Sequence, residues 1–291
     1  MSLPLDDSEL RQLVRRAIDE VLADSPPTLP GPRAATKPAP AQLDKAASRP
    51  ASRKPLPPPL SERAIDRIVR ASPSRLAQGR TGTRYLTEVY VGLRADHAIA
   101  LDAVHSELPD DFASAHGLIP LRTRCASHEE FLLYPDHGRR LDDASRQKLE
   151  AEADKGVDLQ LIAGDGLSAY ALVQNGPPLL DALSRELTAA GFKLGRTLLV
   201  KLARIGVQDE IGVQTGAKAT LIIVGERPGL GTGDSLSIYT AYGPKLGQDN
   251  SEKDCISNVR GLGLSFDEAA KRCAALLRRT FDAGGGGVRL V

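Results

Sequence analysis

The 291-residue sequence carries almost no excess charge of either sign, with 38 basic against 37 acidic side chains. It therefore lacks the broad basic field with which a protein coats nucleic acid or an anionic membrane. It is poor in cysteine: Cys125, Cys255 and Cys273 lie far apart, with no Cys-x-x-Cys pair and no companion histidine spacing. That pattern argues against a disulfide framework and a structural zinc site, and predicts a reducing, cytoplasmic setting with no metal bound directly by the chain. No apolar run approaches the roughly 18 residues that a membrane helix needs, and the first residues lack the apolar stretch of a secretory signal. The dinucleotide fingerprint Gly-x-Gly-x-x-Gly and the Lys-Ser or Lys-Thr of a phosphate loop are also missing. With 41% apolar residues, however, the chain can bury one or two sizeable cores.

Proline, unevenly spread, marks the organisation. Eleven of the twenty prolines fall between Pro26 and Pro59, among alanines, serines and six basic residues against the single acidic Asp44. Fixed φ, missing amide donors and like-charge repulsion predict a disordered, extended linker over residues 26–60. Ahead of it, Leu10, Leu13, Val14, Ile18, Val21 and Leu22 recur at helical spacing, so residues 1–25 are expected to carry an amphipathic helix. Such a helix either docks on its own globular domain or serves as an address or docking peptide for a partner.

The globular pattern begins at Ser61. Residues 61–150 read as mainly helical, with one helix around Ile65, Ile68 and Val69 and another from Leu86 to Leu101. Residues 151–291 read as an α/β domain. Val157 to Ala163, Thr197 to Ala203 and Ala219 to Val224 are short, largely apolar runs that look like buried strands, and Leu236 to Ala241 is a fourth. Between the first two, Pro178 fits a first helical turn and Leu179, Leu180, Leu183 and Leu187 form an apolar stripe that Gly191 ends. Strand, crossover helix and strand predict a Rossmann-like, mainly parallel sheet with its ligand crevice beyond the carboxyl ends of the strands. A last helix is expected over Phe266 to Phe281, followed by a flexible glycine end, Gly284 to Gly287.

Function should then collect in the loops after the strands. Three stand out: Gly164-Asp165-Gly166-Leu167-Ser168, Gly225-Glu226-Arg227-Pro228-Gly229-Leu230-Gly231, and Asp254-Cys255-Ile256-Ser257-Asn258. In the first, Asp165 and Ser168 can simply cap the next helix. The second offers close backbone approach, an acceptor and a donor, yet by itself reads more readily as a turn with an internal salt bridge. A nucleophilic Cys255 would need a base that the sequence does not place beside it. None of the five histidines makes an i, i+4 pair suited to zinc.

In order along the chain, Gly79-Arg80-Thr81-Gly82, Leu93-Arg94-Ala95-Asp96-His97-Ala98, Tyr134-Pro135-Asp136, Gly138-Arg139-Arg140-Leu141, Asp165-Gly166-Leu167-Ser168, Val224 to Gly231 and Cys255-Ile256-Ser257-Asn258 resemble the small (light) subunit of ethanolamine ammonia-lyase. The resemblance covers roughly residues 60 to 291. It implies one subunit of a hetero-oligomer in which a large subunit forms a barrel that holds substrate, while this chain helps enclose adenosylcobalamin and supplies no catalytic acid, base or nucleophile. Ile205, Glu226 and Cys255 match the family's cofactor-contacting positions. The cofactor would supply radical chemistry that turns ethanolamine into acetaldehyde and ammonia. The Asp-x-His-x-x-Gly pattern by which a protein histidine replaces cobalamin's lower base does not occur, so cobalt is expected to keep its own benzimidazole. In related small subunits an N-terminal extension can be an address for a bacterial microcompartment. The rival readings are a stand-alone nucleotide-binding Rossmann-like enzyme and a purely structural scaffold subunit.

Overall fold

Residues 62–71, 74–76 and 78–290 are described by a computed structural model of the chain, and the expectations for residues 1–25 and 26–60 lie outside them. Residues Glu62–Val291 belong to one unit. Its centre is a six-stranded sheet built from β3 (Ile119–Arg122), β4 (Leu159–Gly164), β5 (Leu198–Lys201), β6 (Ala219–Gly225), β7 (Leu236–Tyr242) and β8 (Lys253–Val259), in the order β3-β5-β4-β6-β7-β8. A small hairpin, β1 (Arg80–Thr81) with β2 (Arg84–Tyr85), stands apart from it.

Every residue of β4 and β6 is buried, because helices cover both faces of the sheet and leave no position facing water. On one face Leu159, Leu161 and Ala163 of β4 and Leu221 and Ile223 of β6 pack on α6 (Ala169–Ala189) and α8 (Phe266–Ala283). On the other, Ile162, Ile222, Leu198 and Val200 meet Leu149 of α5 (Asp143–Glu152) and Val207 and Ile211 of α7 (Val207–Thr215). The period-two alternation of strand side chains divides one apolar run between two cores.

Four features differ from the sequence reading. The pairings of β3, β5, β4 and β6 are parallel, as expected, but β7 pairs antiparallel with both β6 and β8, so the sheet is mixed. The β6–β7 connection, residues 226–235, is too short for a helical crossover, which takes about a dozen residues or more. Helix α6 starts at Ala169, not near Pro178; Pro177 and Pro178 lie inside it, and the flanking apolar packing outweighs the amide donors they lack. Residues 253–259, read as a loop, form the edge strand β8, whose polar composition reflects its mostly exposed or half-buried positions. The glycine end is docked: Gly285 and Gly286 are buried, and the Gly287 amide donates to Asp254 at 3.0 Å.

Before β4 the chain forms α1 (Glu62–Arg70), α2 (Thr87–Val104), the single turn α3 (Phe112–Ala115) and α4 (His128–Leu133). This stretch also supplies β3 to the common sheet. Helix α2 is unusual in that only Ala103 is buried, while Tyr90, Val91, Ile99 and Leu101 are exposed. Among the described residues no helix is long and apolar enough to cross a membrane.

Candidate functional site

A cleft of about 890 Å³ opens beyond the carboxyl ends of β4, β5 and β6. Its position follows from connectivity. The chain leaves β4 into α6 on one face and leaves the neighbouring β5 into α7 on the other, so the loops part above the sheet edge. Gly166 and Leu167 come from the first loop, Ala203 to Gly206 from the second, and Gly225 to Arg227 from the third.

The loops are locked together at their glycines. A side chain on Gly166 would strike Val224 and Gly225, and one on Gly225 would strike the carbonyls of Asp165 and Ser168. Ser168 is the N-cap of α6, its hydroxyl oxygen accepting from the Ala171 amide at 3.1 Å while its O–H donates to the Gly233 carbonyl at 2.6 Å. The capping role expected of Ser168 is therefore observed, but Asp165 does something else. Its Oδ1 accepts from the amides of Gly166 and Ala203, both at 2.9 Å, and its Oδ2 from that of Leu202 at 2.8 Å. Burial raises the Asp165 pKa to about 6 even though these amides favour the carboxylate.

Leu202 and Asn258 are the two non-glycine residues with positive φ among the described residues, at 57° and 58°. Each amide is held by a carboxylate: Leu202 by Asp165, and Asn258 by Glu226 Oε1 at 2.8 Å. The same Glu226 oxygen accepts from the Ser237 hydroxyl at 2.6 Å. No internal Glu226–Arg227 salt bridge forms among the described residues; the Glu226 carboxylate instead joins β6 to β7 and to the bulge in β8.

Ile205 and Glu226 both line the cleft, Ile205 half-buried against the core under α7. Cys255 is not a lining residue. It pairs with Tyr239 across the β7–β8 ladder, between Lys253 and Ser257, which do line the cleft, so alternation puts its side chain on the cleft's face. Cys255 is an exposed free thiol whose pKa is nevertheless raised, chiefly because its surroundings shield the sulfur from water. The neighbouring Tyr239 is pushed up to about 12, first by burial and then by Cys255, and remains a neutral hydroxyl. A low-pKa nucleophile would require the opposite setting.

Several cleft residues escaped the sequence reading. Lys253 Nζ lies 3.0 Å from both carboxylate oxygens of Asp209 and donates to the Gln248 carbonyl at 3.0 Å, in a pair almost wholly removed from water. Burial raises the Asp209 pKa despite this partner. Arg204 donates to the Phe131 carbonyl at 2.8 Å and stacks on that ring, its guanidinium carbon 4.1 Å from the centroid. The Gly138-Arg139-Arg140 block belongs here too, since a side chain on Gly138 would meet Arg204. No spacing along the chain brings residues 131, 138 and 204 together; only the fold does. No group of three or more His, Cys, Asp and Glu arranged to hold a metal ion occurs among the described residues.

Residues 62–291 match the family model described as "Ethanolamine ammonia-lyase light chain (EutC)". Relatives named "Ethanolamine ammonia-lyase small subunit" include one from Clostridium perfringens, 36% identical, covering 75% of this chain and 74% of the relative. Another, from Pseudomonas syringae pv. tomato, is 40% identical over 76% of this chain and 80% of its own length. A third, from Ralstonia nicotianae, is 37% identical over 76% and 85%.

Proposed function

Because the chain belongs to the ethanolamine ammonia-lyase light-chain family, we propose that it is the subunit that closes one side of the adenosylcobalamin site in a complex with a large subunit. The observation that carries this reading is the cleft itself. It gathers Ile205, Glu226 and the face of β8 bearing Cys255 at the carboxyl ends of three adjacent strands.

The residues present fit a corrinoid, an apolar disc edged with amides. Ile205 offers apolar contact, and Gly166 and Gly225, packed tightly on each other's loops, bring main chain to the cleft wall. Glu226 can accept amide hydrogens, while the Tyr239 and Ser257 hydroxyls can serve amide carbonyls. Clefts of this size enclose drug-sized molecules, and a corrinoid is larger, so this cleft would cover only one of its sides. The exposed apolar residues of α2 are consistent with a protein partner covering the rest. When bound, adenosylcobalamin supplies radical chemistry through its weak cobalt–carbon bond, which converts ethanolamine to acetaldehyde and ammonia.

This chain's own residues act by binding, orienting and excluding water. Asp165 fixes the loop bearing Ile205 through the amides of Leu202 and Ala203. Glu226 fixes the bulge of β8 and keeps its second oxygen, Oε2, for an incoming donor. The thiol of Cys255 stays protonated at neutral pH and acts as contact, not as nucleophile. We place the complex in the cytoplasm, where cells that build a bacterial microcompartment for ethanolamine breakdown would enclose it.

Co-expression with the large subunit should give acetaldehyde release that depends on adenosylcobalamin, and Glu226→Gln should weaken cyanocobalamin binding by the complex. A large subunit fully active alone, together with unchanged binding in the variant, would reduce this chain to a scaffold.

A further inference from the structure

The charge balance inside the cleft is incomplete. Lys253 is matched by Asp209, and Arg139 Nη1 has Asp136 at 3.3 Å. The Glu226 Oε1 atom is taken up by Ser237 and Asn258. Of the other charged lining residues, Asp249 accepts from the Ser251 amide and Arg140 lies in the field of Asp209 without pairing to it, while Arg204 and Arg227 make no ion pair with a carboxylate among the described residues. The buried Nε of Arg204 has no hydrogen-bond partner. Burial, and then repulsion from Arg139 and Arg227, holds the Arg204 pKa below its usual value. The Arg204 guanidinium, partly desolvated, stacked in place on Phe131 and sharing the cleft with Arg140 and Arg227, is costly to hold there unless an anion enters.

The substrate, an ammonium ion at neutral pH, would be repelled by such a cluster. Neutral amides on a corrin edge need single donors or acceptors and leave the charge unanswered. A phosphate group answers it, because guanidinium forks match phosphate oxygens in both geometry and charge. On the reading that a corrinoid occupies this cleft, we propose that Arg204 and Arg227 seat the phosphodiester of the cofactor's nucleotide loop. Each arginine is the chain neighbour of a residue assigned to the corrin, Arg204 of Ile205 and Arg227 of Glu226, so both contacts can be made by the same pair of loops. Arg139, whose side chain lies over Gly206, adds to the positive field without being free to the same degree.

The test uses the co-expressed complex and two ligands, cyanocobalamin and dicyanocobinamide, the latter lacking the phosphodiester and everything beyond it. Dissociation constants are measured by equilibrium dialysis for wild type, Arg204→Gln and Arg227→Gln. Loss of a charge-assisted hydrogen bond predicts about 10- to 100-fold weaker cyanocobalamin binding, with cobinamide within about twofold of wild type. Arg227 is exposed and has no structural partner among the described residues, so its variant decides the matter even if Arg204→Gln, which also loses the Phe131 contact, fails to fold. Inorganic phosphate at constant ionic strength should compete with cyanocobalamin and not with cobinamide. Equal competition against both would mean a separate free-phosphate site and overturn the proposal, as would equal losses for both ligands or no loss for either. A Glu226→Gln control separates the two readings. If it weakens both ligands while the arginine variants change neither, only the phosphodiester seat is lost. If it too changes neither, corrinoid binding by this cleft falls as well.

Discussion

Replacing Asp165 with alanine removes the one carboxylate on which the loops after β4 and β5 converge. Three amides, those of Gly166, Leu202 and Ala203, would lose their acceptor in a site that is almost fully enclosed. At about 2 kcal/mol for each orphaned donor the loss is about 6 kcal/mol. It is offset by the removal of a buried charge. A shift of the carboxyl pKa from 3.8 to about 6 corresponds to about 3 kcal/mol of unfavourable ionisation at neutral pH, so the net destabilisation is about 3 kcal/mol. The same shift fixes the pH dependence. Because the folded-state pKa is raised, the native chain binds more protons than the unfolded chain between about pH 4 and 6, and this group's contribution to stability falls as pH rises through that window and is level above it. In Asp165→Asn the pH-dependent part should vanish, while Oδ1 still serves Gly166 and Ala203 and the amide nitrogen opposes the Leu202 N–H. Denaturant unfolding of the full chain at a series of pH values measures both effects. An alanine variant within about 0.5 kcal/mol of wild type at pH 7, or an asparagine variant with an unchanged pH profile between 4 and 6, would refute the reasoning.

Lys253→Met should destabilise the chain by about 3–5 kcal/mol, since it leaves Asp209 ionisable and unpaired in the interior; adding Asp209→Leu should recover much of the loss, and urea unfolding of the single and double variants would show it. Ser168→Ala should cost about 1–2 kcal/mol through loss of the α6 cap and of the bond to Gly233, read as a lower urea midpoint with an unchanged slope. If cobalt keeps its benzimidazole, electron paramagnetic resonance of the complex loaded with cobalamin in its Co(II) form should show coupling to a benzimidazole nitrogen, and the same spectrum should survive substitution of His97 or His137. Coupling to a protein imidazole would contradict that expectation.

The composition and periodicity of the chain were enough to indicate an α/β unit, to locate β4, β5, β6 and β7 within a few residues, and to single out the loops after the strands. Continuous apolar runs such as Leu221 to Val224 arise only where both sheet faces are covered, so burial is written locally in the residues themselves. Ser168 was legible for the same reason, because a cap is decided within three residues of chain. Strand direction was not. Whether the Leu236 run lies parallel or antiparallel to β6 depends on how far the connection must travel, and an edge strand as polar as β8 carries little apolar signal.

The cleft marks the same boundary. Ordered motifs were sufficient to suggest the family and to nominate Ile205, Glu226 and Cys255. What each side chain does depends on partners far away in sequence: Asp165 on Leu202 and Ala203, Glu226 on Asn258, Lys253 on Asp209, and Arg204 on Phe131 and Gly138. Hydrogen bonds and charges act through space over a few ångströms, whereas spacing along a chain reports only neighbours that share a turn or a strand. Tertiary structure therefore decided that two carboxylates would brace left-handed backbone while Arg204 and Arg227 would share a cleft and make no ion pair with a carboxylate among the described residues.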